Sequence, residues 1–570
     1  MRRRLNRRNG GYVGDWRLQD QAGTITPLTP VTQHNKSADW YRPQSWLPMP
    51  GMTANSTQMV AGLLAIFKGA SGATGASADS NFVAFLARGA YVVDWGVTTA
   101  ARPNGMTSAH ADNTVAQFQY NWNDVPASTE TPFGYRQVMI KITPQTGATL
   151  TTINMNQRFA SSPITIHTRS NNPWLSIKAS VPNCTSFGLG SSSPAARNDL
   201  LEELEFVGRT SISGFADILQ QCTGMECLKG TEWSAVASSC NSAFAGAASM
   251  RRYPLFDTRR LTSNVHGIFG TNFNLEMVPP LTWEGLNDSS IISTNSIFSS
   301  TSILVAPRFS MRRVQIPTTS ITNGANSMFN SCFRLKRVDE IDLSRVRLAQ
   351  NMFLSCSSLV KLPPTLSTPN LVNAGLMFNG CNSLRNYPTG MSFANVNECN
   401  EMFRDNWRCE FFPTETVGTG VTSGITANDF ARNAYTGMVA PRLNWSKVTT
   451  VVRAYSGSGF PEIVGGAMTA GWAPSNGRAG ACMGWGANAG FLDSTRSLKI
   501  LPKLEGLLQN TDIRNAMASP TELDGFFTAL GSTAGRLNVT GNWGVTAGGR
   551  TPGGASFGIA TAKGWTFSNV

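Results

Sequence analysis

Along the middle of the chain, large apolar side chains recur at fixed offsets, separated by Ser, Asn and other small polar residues. Asn351-Met-Phe-Leu-Ser-Cys-Ser-Ser-Leu-Val-Lys-Leu-Pro363 and Leu376-Met-Phe-Asn-Gly-Cys-Asn-Ser-Leu-Arg-Asn-Tyr-Pro388 are two copies of one unit. With the aromatic as position zero, Phe353 and Phe378 are each followed by Cys at +3, Leu at +6, an apolar residue at +9 and Pro at +10. Phe329 opens another copy with Cys332, Leu335 and Val338, and Phe403 the next with Cys409, Phe412 and Pro413. Upstream the frame fits Phe298 with Leu304, Phe269 with Leu275 and Val278, Phe244 with Met250 and Tyr253, and Leu219 with Cys222, Met225 and Leu228. Downstream it fits Phe430 with Val439, then Tyr455, then Leu492 with Leu498 and Leu501.

Most anchors lie 24 to 27 residues apart, the length of one coil of a leucine-rich-type solenoid: a short strand, a turn, and a helical or irregular return. The run from +6 to +9 places its apolar residues on a strand ending at Pro, where a missing N–H is tolerated. A helical segment from the anchor would put the +3 Cys on the same face. Cys222, Cys332, Cys356 and Cys381 all fall at +3, where a small buried hydrophobe is wanted between coils. They are therefore read as structural, and one cysteine per coil does not make a metal site. About eleven coils followed by a cap are expected between residues 151 and 570, with the solenoid over 151–505 and the cap over 506–570.

Ahead of the repeats the period changes from coil to strand. Phe82-Val-Ala-Phe-Leu-Ala87, Tyr91-Val-Val-Asp-Trp95, Val115-Ala-Gln-Phe-Gln-Tyr-Asn-Trp122 and Tyr135-Arg-Gln-Val-Met-Ile-Lys-Ile-Thr143 read as strands separated by Gly, Pro and Asn turns. They predict a small β-sandwich over residues 59–150. Residues 1–58 form an extended arm whose Asp39-Trp-Tyr-Arg-Pro-Gln-Ser-Trp-Leu-Pro-Met-Pro50 strap is rich in Trp and Pro. The strap is expected to pack on a neighbouring surface, either this chain's sandwich or another subunit. The whole is an α+β chain of arm, sandwich, solenoid and cap. Only 14% of its 570 residues are charged, which excludes a charged coiled coil or an acidic disordered chain.

The formal charge of +13 is uneven, because Arg2, Arg3, Arg4, Arg7 and Arg8 supply five positive charges in the first eight residues. Together with Trp40 and Trp46 they are the candidate docking arm toward an anionic partner. The rest of the excess is too diffuse for a nucleic-acid-binding module. Nothing after Met1-Arg-Arg-Arg resembles an export signal, and Val60-Ala-Gly-Leu-Leu-Ala-Ile-Phe67 is too short to cross a bilayer.

Catalytic chemistry is thinly represented. His34, His110, His167 and His266 are scattered, and Glu202-Glu-Leu-Glu205 reads as a strand with its carboxylates on the wet face. Gly484-Trp-Gly-Ala-Asn-Ala-Gly490 reads as a loop, not a nucleotide cradle. Neither a metal site nor a cofactor is expected, and the chain is read as a non-enzyme. The candidate binding residues lie at +7 and +8, which face outward on the strand row. Arg251, Arg252, Lys336, Arg337, Lys361, Arg385 and Lys499 occupy these positions, with Glu226, Glu276 and Glu410 as the acidic ones. Stacked at about 4.8 Å per strand, they predict a basic stripe able to hold phosphate or carboxylate groups.

The Met-Phe-x-x-Cys-x-x-Leu-x-x-Leu-Pro coil resembles the BspA-like leucine-rich repeat of bacterial surface antigens and large phage virion proteins. Glu522-Leu-Asp-Gly-Phe-Phe-Thr-Ala-Leu530, Leu537-Asn-Val-Thr-Gly-Asn-Trp-Gly544 and Ile559-Ala-Thr-Ala-Lys-Gly-Trp-Thr-Phe567 resemble the terminal cap of the phage-encoded type. Tyr91-Val-Val-Asp-Trp-Gly96 is similar to the Trp-Gly strand of polycystic-kidney-type Ig-like domains, although Val97 stands where that family has Asp. The resemblance implies a phage virion protein made in the host cytoplasm, with a tail-fibre or baseplate-associated receptor-binding role. Its implied partners are other virion proteins, a host cell-surface glycan or protein, and further copies of itself. A head-decoration subunit is the alternative, and a polysaccharide depolymerase the third class.

Overall fold

The computed structural model describes residues 35–36, 40–54, 57–68, 81–97, 105–157, 172–192, 198–208, 210–212, 214–230, 240–253, 265–278, 294–307, 324–422, 424–467, 504–505, 511–513, 519–532, 535–539 and 557–567. They form a β-sandwich that runs into a mostly-β solenoid of about ten turns, closed by a small cap.

Twelve strands build the sandwich and its junction. They are β1 (Asn35–Lys36), β2 (Met59–Phe67), β3 (Phe82–Arg88), β4 (Tyr91–Asp94), β5 (Thr107–His110), β6 (Thr114–Gln119), β7 (Tyr135–Pro144), β8 (Thr152–Asn154), β9 (Trp174–Ser180), β10 (Ser186–Gly188), β11 (Glu203–Phe206) and β12 (Cys227–Lys229). One sheet has the order β1-β12-β11-β9-β2-β7-β4-β5 and the other β10-β8-β3-β6. The four strands predicted from alternation are thus present. Strand β2 is apolar on both faces and nearly all buried, because each face has a cover. Val60, Leu64 and Ile66 point into the sandwich core, while Leu63 and Ala65 point out beneath the Trp-Pro strap. Gly62 is required on the inner face, since a Cβ there would lie 2.1 Å from Cζ3 of Trp174.

Pairing does not stop at residue 150. Strand β9 lies antiparallel to β2 but parallel to β11, which in turn lies parallel to β12. These parallel strands begin the solenoid, so the sandwich shares a sheet with the first coils, and one apolar core reaches from Val60 to Trp565.

In the coils, the anchor N–H crosses to the next turn: Phe353 donates to the Met377 carbonyl at 2.9 Å and Phe378 to that of Met402 at 3.0 Å. The segment around the anchor, for which the sequence leaves a helical or an irregular course open, is a run of turns, bracketed two residues before and after the anchor by positive φ, as at Asn351 (59°) and Ser355 (61°). Asn and small polar residues suit these positions because they tolerate the left-handed region. The anchor rings then stack. From Phe269 through Phe298, Phe329, Phe353 and Phe378 to Phe403, centroids are 5.3 to 6.1 Å apart and planes within 14°. Among the described residues, helices are confined to a few single turns and the cap, so the α component expected of the coils is not found.

Two coils are shifted relative to the sequence frame. Phe403 N–H donates to the Phe430 carbonyl, and the positive-φ bracket falls at Asp429 and Asn433, so Ala431 is the structural anchor. Phe430 takes the place held by Met402 one coil earlier, and Ala434 and Pro441 then fall at +3 and +10. In the Phe298 coil the stretch from anchor to strand row is one residue shorter, so Ile303 is the buried residue and Val305 pairs with Arg337. In the cap, the helix Pro520–Ala529 is capped by Ser519, whose side chain accepts from the Glu522 N–H. It buries Leu523, Phe526 and Phe527, giving the end of the stack an apolar cover.

A basic and aromatic face on the solenoid

At +7 and +8, bridges join neighbouring coils in three runs: Arg252 with Met277; Val305 with Arg337 and Lys361; and Asn386 with Phe411 and Val439. Among the predicted basic residues, Arg337 and Lys361 are bridged on neighbouring coils, and Arg385 follows on the next. Lys336, Lys361 and Arg385 sit on three successive coils, are exposed, and carry no ion pair among the described residues. Arg251, Arg252 and Arg337 are half-buried, and Arg337 Nε lies 3.3 Å from Asp339 Oδ2. Lys499 lies outside the described residues, as do Arg2, Arg3, Arg4, Arg7, Arg8, the Leu492 coil and the Gly484 loop.

The row is not purely basic. Val360, Phe411 and Met438 occupy exposed positions on it, and Phe273, Phe333, Trp407 and Tyr435 stand at +4 on the adjoining turn. The Trp407 and Tyr435 rings come within 6.4 Å of each other. Seven of the twelve large hydrophobics exposed among the described residues therefore share this one edge of the solenoid. The +7 and +8 pattern missed the +4 members, although they are visible as bulky residues directly after the small buried +3 residue. Between two coils a depression of about 390 Å³ is lined by Lys361, Arg385, Asn386 and Tyr387, with Pro363 and Pro388 among its walls. Two cations over a firm proline floor can hold a carboxylate or phosphate.

The Trp-Pro strap lies on the outer face of this chain's own sandwich. Trp46 is 6% exposed, packs with Leu63, Ala65 and Leu175, and donates from Nε1 to the Tyr135 hydroxyl at 2.8 Å. Trp40 donates to Glu202 Oε2 at 2.8 Å. Arg42 and Lys229 both hold the Glu203 carboxylate, which also accepts from Ser176 Oγ at 2.8 Å. The expectation of Glu on a wet face is therefore wrong for Glu203, which is 2% exposed. Strand alternation put it outward correctly, but the strap covers that face. Burial opposes its ionisation, yet the Lys229 hydrogen bond and the charges of Arg42 and Lys229 outweigh this and hold the carboxyl below its ordinary range.

The cysteines at +3 do more than fill space. Sγ of Cys332, Cys356 and Cys381 donates to the anchor carbonyl one coil back, Phe298, Phe329 and Phe353, at 2.9, 3.1 and 3.2 Å. Asn272 does the same to Phe244 through Nδ2 at 2.9 Å. In these coils the +3 place is thus held by a small donor. All nine described cysteines are buried, and none forms a disulfide among the described residues. Burial pushes the Cys332 thiol up to about 11 and Cys240 to about 12, the opposite of an activated nucleophile.

One close pair was not legible from the sequence. Ser108 Oγ and His110 Nε2 are 2.7 Å apart on strand β5. Trp95 Nε1 donates to the same Ser108 oxygen at 2.9 Å, and the imidazole stacks on Tyr91 at 5.0 Å. Burial lowers the His110 pKa. The described side-chain bonds of His110 go to Ser108 alone, leaving the ring without the carboxylate that orients a catalytic histidine. No group of three His, Cys, Asp or Glu among the described residues is placed to hold a metal ion, and no described helix is long and apolar enough to cross a membrane.

Compared with protein-family models and with curated protein sequences, the chain matches none.

Proposed function

We propose that this chain is a structural and adhesive protein of a phage particle: a tail-fibre or baseplate-associated receptor-binding protein whose solenoid holds the host surface without catalysis. The single observation that carries this reading is the alignment of Lys336, Lys361 and Arg385 on three successive coils, exposed and without an ion pair among the described residues. Such a row focuses positive potential along the stack and favours an elongated anionic partner. The BspA-like type of the coil and the Ig-like type of the sandwich belong to the same proposal, as does docking of the Arg2-to-Arg8 arm on other virion proteins.

Antibody raised against residues 324–467 and applied to intact virions tests the location. Label at the tail tip or baseplate supports the reading. Label confined to the capsid overturns the fibre role in favour of a head-decoration subunit, a reading that the apolar side chains on the same face support because a permanent protein neighbour would bury them.

A further inference from the structure

The proposed function leaves open what kind of molecule lies on the basic face; the following inference rests on that face being a binding face. We propose that its partner is a protein, an acidic surface or segment that also carries apolar side chains, and not a polysaccharide. Phe333, Val360, Trp407, Phe411, Tyr435 and Met438 stand out from the same edge as the cations. Phe333 is 58% exposed, Trp407 48% and Met438 59%, far outside the buried state that such side chains reach elsewhere in the solenoid. A glycan would use the flat rings of Trp407 and Tyr435 but would leave Val360 and Met438 without a complementary surface. A protein partner uses all six, and aromatic residues, Met and Arg are the types enriched where proteins meet.

Contiguity makes these residues one patch. The coils anchored at Phe329, Phe353, Phe378, Phe403 and Ala431 are joined in sequence by the Arg337–Lys361, Asn386–Phe411 and Phe411–Val439 bridges and by the depression shared by Lys361 and Arg385. Five strands at about 4.8 Å span roughly 20 Å, the scale on which a standard interface buries about 800 Å² per partner. Charge selects the partner's sign. From residue 333 to residue 411 this edge carries Arg334, Lys336, Arg337, Lys361, Arg385 and Arg408 against Asp339, Glu340 and Glu410. A second copy presenting the same face would meet like charge, so an acidic heterologous partner fits and a face-to-face dimer does not.

The test uses the full-length protein and three probes of matched length and charge: a peptide alternating Glu with Phe and Leu, polyglutamate, and an alginate oligosaccharide. Binding is read by fluorescence anisotropy at two salt concentrations. The proposal expects the apolar acidic peptide to bind at least about tenfold more tightly than either other probe, about 1.4 kcal/mol. Trp407→Ala and Phe411→Ala, made singly, should erase that advantage while leaving the weak polyglutamate binding as it was. Since both side chains are exposed, unchanged melting temperature is the control for folding. Equal binding of all three probes, unaffected by these two variants, would overturn the protein-partner inference while leaving a basic anion-binding face in place. Tighter binding of alginate would transfer the face to glycans and overturn it as well. No measurable binding of any anionic probe would remove the binding face itself, and with it the proposed function.

Discussion

At the scale of single residues, the coil is specified by what each offset must do for its neighbours. The +3 cysteines are small enough to lie between coils and donate to a carbonyl one turn back, and that donor role was not legible, since composition alone shows only a small buried side chain. Their thiols are held neutral by burial, so iodoacetamide at pH 8 should label none of the nine described cysteines until the protein is denatured; mass spectrometry showing rapid native-state labelling at Cys356 would contradict this. The sign of the pH effect follows. Thiols whose folded pKa is raised contribute fully below about pH 8.5, where the unfolded thiols are still protonated, and that contribution falls as pH rises toward about 11, the value for Cys332. Denaturant midpoints should therefore drop on the alkaline side. In the ring stack, Phe353 is fully buried between Phe329 and Phe378. Phe353→Ala should lower stability by about 3 to 5 kcal/mol through the cavity it opens, and a calorimetric loss below about 1 kcal/mol would mean that the stack is not what holds the coils in register.

At the scale of elements, the strands of the sandwich and the coil period were readable because apolar spacing reports directly which side chains must share a face. Two things were not. Where adjacent positions are both apolar, as at Phe430 and Ala431 or Ile303 and Leu304, a one-residue shift of register within the coil hides in the pattern, and only the cross-coil pairing decides it. The landing place of the strap was equally hidden, because the outward faces of β2 and β9 and the carboxylate of Glu203 become interior only once the strap is laid over them. That contact should be acid-labile. A carboxyl with a depressed folded pKa contributes stability above its unfolded value near 4.3 and loses it as pH falls through the lower folded value. Hydrogen exchange over residues 40–50 should accelerate below about pH 4. Glu203→Gln should do the same at neutral pH by leaving Arg42 and Lys229 facing an uncharged partner, at a cost on the order of 3 kcal/mol. Slow, pH-independent exchange of the strap in both proteins would show that Trp46 packing alone holds it.

At the scale of the whole molecule, one apolar core runs from sandwich to cap, and each coil covers the apolar face of the next. A stack of this kind presents the same offsets at regular steps, so side chains that are minor individually become a continuous surface. The basic half of that surface was legible from the +7 and +8 positions. Its aromatic half was not, because residues at +4 lie on the turn and not on the strand row. The central claim is that this edge is the binding face, and adsorption to host cells measures it most directly. Lys336→Glu, Lys361→Glu and Arg385→Glu combined should reduce adsorption at least about tenfold, while Arg88→Glu with Arg345→Glu, exposed residues on sandwich strand β3 and on the turn that follows the strand row of the Phe329 coil, should leave it unchanged. Equal adsorption by both variants and the unmodified protein would contradict the account.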